Sequence, residues 1–152
     1  LNELEEHNVD EMFSAIEYLA ANKIGALIIL SENESVPIWN NSGTLIDSAL
    51  NGRLIISIFQ KESPLHDGAL VVVKDRIFKC EVILPVSDSM RLPKELGLRH
   101  RAAIGVSENT NSATFMVSEE TGEVSYAYQG DYKLDINRRV LKKKLEEHFH
   151  EK

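Results

Sequence analysis

Apolar side chains near the start of the chain recur three or four residues apart. This spacing predicts one face of an α-helix, formed by Val9, Met12, Phe13, Ile16, Leu19 and Ala20. Asn8 with Glu11 three residues later resembles a capping box. We therefore expect a helix over about residues 8–22, with its apolar stripe against the core.

Shorter apolar runs between turn residues predict strands. They are Ile24–Leu30, Thr44–Asp47, the hairpin of Gly68–Val73 with Ile77–Leu84, and the pair Ala113–Ser118 with Val124–Gln129. Further helices are expected at residues 54–59, from within Pro93–His100, and from Asn137 to the end. Hairpins interleaved with helices favour a single α/β domain over residues 1–152, with a central mixed β-sheet flanked by helices.

Composition narrows the class of protein. The 152 residues are 43% hydrophobic and 27% charged, which excludes a disordered chain. Cys80 is the single cysteine, so an internal disulfide is impossible and a buried core position in a reducing compartment is expected. A net charge of −7 disfavours the wrapping of duplex nucleic acid.

Apolar runs bear on the location of the protein. The longest, Ile24–Leu30, is far shorter than the roughly 18–20 residues that cross a bilayer. We expect no membrane segment in this chain and a cytoplasmic location. An upstream membrane anchor in the intact protein stays open.

The segment Leu65–Ala69 is the first of three with candidate chemistry. Asp67 precedes two small residues, so a ligand can approach the backbone while the carboxylate holds a divalent cation or takes a proton from a hydroxyl. A plain Asp-Gly turn is the alternative.

Two arginines bracket a histidine in the second segment, Gly97–Ala103. The guanidinium groups of Arg99 and Arg101 suit phosphate oxygens, and a helix that begins here adds its first N–H groups. A solvated basic patch is the alternative.

The third segment, Val117–Gly122, ends an apolar strand with polar residues. It favours either a ligand-facing strand end or a hairpin turn with Gly122 at positive φ. His7, His148 and His150 are interpreted as surface residues. The sequence contains neither a P-loop nor a dinucleotide fingerprint, so these residues alone indicate a phosphate-rich ligand without saying which one.

Taken together and in this order, the three segments resemble the diadenylate cyclase (DAC) domain family, which is marked by Asp-Gly-Ala and Arg-His-Arg motifs. The likeness runs from about Ile16 to Phe149 and includes residues 24–28, 84–87 and 94–97. It implies an enzyme that condenses two ATP into cyclic di-AMP and two pyrophosphates. It also implies dependence on Mg²⁺ or Mn²⁺ and a face-to-face homodimer, with a higher oligomer left open.

The resemblance also implies roles for individual residues. The catalytic residues would be Asp67, Arg99, His100 and Arg101, and the metal ligands Asp67 and His66. ATP would contact Gly68, Ala69, Leu84, Gly97, Leu98, Arg99, His100, Arg101, Ser118 and Glu119.

Two positions depart from the family pattern. Leu98 stands where relatives often have threonine, and Ile83 where some have tyrosine. The first change removes a hydroxyl next to the phosphates, so one alternative is a catalytically weak ATP or cyclic di-AMP sensor with the same pocket. A single-stranded nucleic-acid module is a more distant alternative, which the 7% aromatic content and acidic charge disfavour.

Overall fold

The architecture is one seven-stranded mixed sheet with helices on both faces, seen in a computed structural model that describes residues 1–86, 92, 94 and 96–150. In chain order the elements are α1 (Glu3–Ala21), β1 (Ala26–Ser31), α2 (Pro37–Asn40), β2 (Thr44–Ala49), α3 (Gly52–Phe59), β3 (Ala69–Val73), β4 (Arg76–Val82), α4 (Leu98–Asn109), β5 (Ala113–Val117), β6 (Val124–Tyr128), β7 (Asp131–Lys133) and α5 (Arg138–Phe149). The predicted fold class is confirmed.

Helix α1 begins five residues before the expected start, which corrects the proposed cap. Asn2 accepts a hydrogen bond from the Glu5 N–H, and the Glu5 side chain accepts one from the Asn2 N–H. This reciprocal pair is a true capping box, whereas Asn8 is a buried residue inside the helix. The prediction of a helix start at Asn8 was therefore wrong, because the equivalent Asn2–Glu5 pair lies six residues upstream.

The strand order is β2-β4-β3-β1-β5-β6-β7, and β1 and β3 are the parallel pair. The other neighbours are antiparallel. The expected hairpins β3–β4 and β5–β6 are both present. Helix α2 and strand β7 were not predicted, because four and three residues are too short to show a periodicity.

Two apolar layers sandwich the sheet. The larger layer packs α1, α3 and α5 against one face, with Met12, Ile55 and Leu145 fully buried. The smaller layer packs α4 and Trp39 of α2 against the other face, through Ala103 and Val106. Cys80 is buried in the larger layer, as expected.

Some of the expectations need correction or lie outside the described residues. His148 is half-buried and its Nε2 lies 2.9 Å from the Tyr126 hydroxyl, so it is not a simple surface residue. His7 and His150 are exposed. The helix expected within Pro93–His100 begins at Leu98. Ser87, Pro93, Glu95 and the terminal residues 151–152 lie outside the described part of the chain.

Candidate active site at one end of the sheet

Four strand ends meet at one end of the sheet. Because β1 and β3 are parallel, both begin there, just after Gly25 and Gly68. The antiparallel strands β4 and β5 end there, with Val82 opposite Ala69 and Val117 opposite Ala26. The fold thus brings together chain segments that are far apart in the sequence.

A pocket of about 370 Å³ opens at this end of the sheet. Helix α4 contributes one wall and the ends of the strands contribute the others. This volume is at the lower end of the range for small-molecule sites. Its lining residues are Leu27, Asp67, Gly68, Ala69, Glu81, Val82, Ile83, Leu84, Val86, Leu98, Arg99 and Ala102.

Asp67 lies at the pocket with its side chain exposed. Its Oδ1 accepts a hydrogen bond from the Gly68 N–H at 3.0 Å, which leaves Oδ2 without a partner among the described residues. Gly68 has φ +79°, and a methyl group there would lie 2.8 Å from the Glu81 carbonyl carbon and the Val82 carbonyl oxygen. Only glycine fits this position, so the small residue after Asp67 is required by the fold itself.

The Arg99 guanidinium lies over Gly25, at the beginning of β1. A methyl group on Gly25 would come within 2.1 Å of Arg99 Nη1 and 3.2 Å of Glu119 Cβ. Gly25 therefore leaves the space that the arginine occupies. The sequence pattern placed Gly25 in a strand but gave it no role in the site. Nothing near Gly25 in the sequence indicates that an arginine 74 positions later covers it.

The other two residues of the Arg-His-Arg segment are not among the residues that line the pocket. Arg101 Nε donates to the Leu96 carbonyl at 3.1 Å, on the loop before α4. His100 is half-buried; burial lowers the pKa of its imidazole, and the nearby carboxylate of Glu123 works in the opposite direction. Arg99 is thus the residue of this motif that lines the pocket.

The Val117–Gly122 segment forms the turn that the sequence allowed as an alternative. The Ser118 hydroxyl accepts hydrogen bonds from the N–H groups of Glu120 and Thr121, and Gly122 has φ +77°. Ser118 does not line the pocket. Glu119 lies next to Gly25 and so reaches the side of the site where Arg99 is held.

The expected metal ligands differ in how they are placed. Asp67 lines the pocket, whereas His66 does not; its Nδ1 donates to the Ser63 carbonyl at 2.8 Å, which leaves Nε2 as the ligand atom. The part of the chain that the structure describes contains no cluster of three or more His, Cys, Asp or Glu side chains able to hold a metal.

The structure adds Glu81 to the candidate pocket residues that the sequence singled out, and it shows how exposed three of those are. Glu81 faces the pocket from β4 with φ +57°, a conformation that only the tertiary structure reveals. Ile83 and Leu98 lie at the mouth with 76% and 73% of their surface exposed. Gly97, at the N-cap of α4, is also exposed, and a methyl group there would meet nothing within 4 Å.

These observations define a class of protein. It is a mixed α/β domain whose ligand pocket lies at strand ends, with a carboxylate, a guanidinium and a helix N-terminus beside an apolar wall. Such a set suits a ligand that carries both phosphate and an apolar ring system. Three candidate residues (Gly97, His100 and Arg101) belong to α4 or its cap without lining the pocket.

Comparison with known proteins identifies the family within this class. The model of the DAC family, described as DisA bacterial checkpoint controller nucleotide-binding, matches residues 13–132. The chain belongs to this family. The resemblance inferred from the three segments is thereby confirmed at the level of the family.

Curated relatives agree with this assignment. The chain is 38% identical over 149 residues to the cyclic di-AMP synthase CdaA of Bacillus subtilis, covering 98% of this chain and 55% of the relative. It is 44% identical over 117 residues to the diadenylate cyclase CdaS of Bacillus thuringiensis, covering 77% of this chain and 58% of that protein. The chain thus spans little more than half the length of these relatives.

Solved structures share the fold. A cysteine double mutant of DacA from Staphylococcus aureus superposes with a TM-score of 0.91 at 36% identity, covering 97% of this chain and 99% of that one. A hypothetical membrane spanning protein from Bacillus cereus gives a TM-score of 0.79 at 40% identity, covering 84% and 63%. Among the described residues of this chain, no helix has the length and apolar character needed to span a bilayer.

Proposed function

We propose that this domain is a diadenylate cyclase, which joins two ATP molecules into cyclic di-AMP and releases two pyrophosphates. The observation that carries the proposal is that the Asp67 carboxylate and the Arg99 guanidinium line one pocket. A proton acceptor and a phosphate-binding cation are the two groups that this reaction needs close together. The names of the curated relatives support the same reaction.

Arg99 and the beginning of α4 bind the triphosphate in this proposal. The N-cap Gly97 has no side chain to satisfy the first N–H groups of the helix, and no other described side chain caps them, so we propose that these donors bind the ligand. The helix dipole and the guanidinium both attract anions. His100 and Arg101 act from the same helix by holding its first turn against the neighbouring loops.

Asp67 is proposed to activate the ribose 3′-hydroxyl. Its Oδ1 is held by the Gly68 N–H, which orients the carboxylate and leaves Oδ2 to accept the proton. The hydroxyl oxygen then attacks the α-phosphorus of the other ATP, a P–O bond to pyrophosphate breaks, and the new phosphodiester bond forms. Correct positioning supplies much of the rate enhancement in such transfers.

The donor set at Asp67 fits a hard divalent cation. We propose that Asp67, with the Nε2 of His66, holds Mg²⁺ or Mn²⁺, and that phosphate oxygens and water complete the coordination. The described residues bring too few acidic and histidine side chains together to complete the coordination, which agrees with a cation that takes further ligands from the substrate. The cation would neutralise charge on the phosphates.

The adenine ring is proposed to lie against the apolar wall of the pocket. Leu84 and Val86 from the end of β4 and Ala102 from α4 form this wall. We propose that Ser118 and Glu119 contact the nucleotide from the side of the site opposite this wall, where Glu119 lies beside Gly25. Gly68 and Ala69 let the nucleotide approach the backbone.

A face-to-face homodimer is proposed as the active form, because each 3′-hydroxyl must attack the partner's nucleotide. A two-fold axis provides both attacks with one surface used twice. Ile83, Val86 and Leu98 form an exposed apolar rim around the pocket, which pairing would cover. Assemblies beyond the dimer are compatible with this arrangement.

We place the reaction in the cytoplasm, where ATP is available, and propose an upstream segment that holds the intact protein at a membrane. The support for an anchor is the name of one similar structure, the membrane spanning protein of Bacillus cereus, of which this chain covers 63%.

The deciding experiment is to incubate the domain with ATP and either Mn²⁺ or Mg²⁺ and to separate the products by chromatography. We expect cyclic di-AMP and pyrophosphate in a 1:2 ratio, as the reaction balance requires. Tight ATP binding without product would instead favour the sensor, and restored turnover in Leu98→Thr would trace the loss to that position. Absence of both binding and product would overturn the proposal.

A further inference from the structure

Strand β4 carries a β-bulge at the pocket. Ala69 pairs with Val82 and Val71 pairs with Lys79, so two steps along β3 correspond to three along β4. The extra residue lies at Cys80–Glu81, and Glu81 takes the left-handed φ of +57°. Bulges beside functional sites commonly redirect a side chain. Here the bulged residue, Glu81, is one of the residues that line the pocket.

Glu81 is held on two sides, its carboxylate by Thr44 and its backbone by the close packing of Gly68. Thr44 Oγ1, on the edge strand β2, donates a hydrogen bond to Glu81 Oε1 at 2.8 Å. Gly68 packs so closely against the Glu81 backbone that a methyl group would lie 3.1 Å from its Cα. The second oxygen, Oε2, has no partner among the described residues. Glu81 therefore offers a positioned acceptor to a ligand.

The place of Glu81 in the sheet limits what it can contact. The Arg99 guanidinium lies over Gly25 at the start of β1, and β4, which carries Glu81, is two strands away in the order β4-β3-β1. At about 4.8 Å between strands, the β4 backbone is roughly 10 Å from the strand that this guanidinium covers. A carboxylate repels phosphate, so it suits an uncharged hydrogen-bond donor of the nucleotide that lies away from the triphosphate.

Among such donors, the ribose hydroxyls fit best. Gly68, the residue after Asp67, packs against the Glu81 backbone, and in the proposed function Asp67 faces the 3′-hydroxyl. The neighbouring donor on the sugar is the 2′-hydroxyl. Carboxylates serve in this way in other nucleotide sites, where an Asp or Glu accepts a hydrogen bond from a ribose hydroxyl.

We propose that Glu81 is a specificity-determining residue that accepts a hydrogen bond from the ribose 2′-hydroxyl, so that the pocket selects ribonucleotides over 2′-deoxyribonucleotides. This inference rests on the proposed function, because it assumes a nucleotide in the pocket. Glu81 acts on selection rather than on the reacting atoms. We therefore expect substitution of Glu81 to change the affinity for the substrate.

The test compares two analogues that cannot react, 3′-deoxy-ATP and 2′,3′-dideoxy-ATP, which differ only in the 2′-hydroxyl. Calorimetric titration of the wild-type domain should show at least about tenfold tighter binding of 3′-deoxy-ATP, the scale of one hydrogen bond to a charged group. In Glu81→Ala the ratio of the two affinities should fall to near one. Glu81→Gln keeps an acceptor of the same shape and should retain part of the preference.

Two further variants sharpen the result. Thr44→Val removes the hydrogen bond to Glu81 Oε1 and should reduce the preference without abolishing it. Glu34→Ala, an exposed glutamate in the loop after β1, is the control and should keep the wild-type ratio. Comparable circular dichroism spectra would show that each variant is folded. If Glu81→Ala does not fold, Glu81→Gln replaces it in the comparison.

The possible outcomes separate this inference from the proposed function. Wild-type protein that binds both analogues equally, or a Glu81→Ala variant that keeps the preference, would overturn the role of Glu81 alone. A Glu81→Gln variant that changes only the Mn²⁺ requirement would do the same and make Glu81 a metal ligand. Wild-type protein that binds neither analogue nor ATP would overturn the proposed function itself.

Discussion

At the scale of single residues, neighbours in one motif have different roles. Arg99 lines the pocket, whereas Arg101, two positions later on α4, donates to a backbone carbonyl. Residues two apart on a helix point about 200° apart, so Arg99 and Arg101 leave α4 in different directions. Asp67 and His66 also make different contacts, because Asp67 lines the pocket whereas His66 Nδ1 donates to the Ser63 carbonyl.

Asp67→Asn should leave the fold intact and lower the rate of cyclic di-AMP synthesis by about 10²–10⁴-fold, the range for loss of a general base. An amide cannot take the hydroxyl proton and is a weaker ligand for a divalent cation. The rate is measured by product chromatography. Asp75→Asn, in the exposed turn at the other end of β3, is the matched control and should keep full activity.

Arg99→Ala should lower kcat/KM by about 2–4 kcal/mol in transition-state free energy, which is the scale for removal of one preorganised donor. Steady-state kinetics with ATP measures this quantity. Arg99→Lys should recover only part, because an ammonium lacks the planar fork of the guanidinium. The exposed Arg139→Ala is the control. An unchanged kcat/KM in Arg99→Ala would exclude phosphate binding by this residue.

His100 should make stability depend on pH. Burial lowers the pKa of His100 in the folded state below its unfolded value of about 6.5, so protonation favours the unfolded chain. Its contribution is complete above that pH and is lost as the pH falls through the folded pKa. In His100→Asn, the free energy of unfolding measured with urea should therefore decline less between about pH 7 and pH 5. Equal declines would contradict this assignment.

At the scale of elements, the site depends on the close approach of helix α4 to the beginning of β1. The Arg99 guanidinium fills the space above Gly25. The position of the arginine is therefore set by a strand that is distant from it in the sequence. The contact involves the end of a flexible side chain, which can move without disturbing the sheet. Activity and stability should therefore respond differently to a change at Gly25.

Gly25→Ala should displace the Arg99 guanidinium, because the new methyl group would lie 2.1 Å from Nη1. We expect kcat/KM to fall by about tenfold or more, which corresponds to about 1.4 kcal/mol. The free energy of unfolding should change by less than about 1 kcal/mol. In the background of Arg99→Ala, the same substitution should have little further effect on kinetics. Additive losses in the double variant would contradict this coupling.

At the scale of the whole molecule, one sheet brings Asp67 and Arg99 to the same pocket. The proposed second copy then brings a second such pocket next to the first. The pocket has an exposed apolar rim, including Ile83 and Leu98, that a partner would cover. The product has the same two-fold symmetry as the proposed dimer. The proposed reaction therefore requires a dimer.

Activity per protomer should fall when the domain is diluted below its dimer dissociation constant, whereas ATP binding should persist. Product formation over a concentration series, combined with analytical ultracentrifugation, measures both. An excess of Asp67→Asn protein should suppress wild-type activity, because mixed dimers contain one defective half. Constant activity per protomer in the monomeric range would show that one chain suffices.

The sequence by itself determined most of the strands, most of the helices and the family. Apolar periodicity depends on neighbours within a few residues, so β3, β4, β5 and β6 could be predicted to within one or two positions. The three segments could be recognised for the same reason, since each is a contiguous run. The turn at Ser118–Gly122 was also foreseen as one of two alternatives.

Only the tertiary structure decided which residues share the pocket. Gly25, Asp67 and Arg99 are distant in the chain and meet because β1, β3 and α4 converge at one end of the sheet. The bulge at Glu81 and the hydrogen bond between His148 and Tyr126 belong to the same group. Each depends on contacts or backbone geometry that local periodicity does not encode, whereas the elements themselves follow from it.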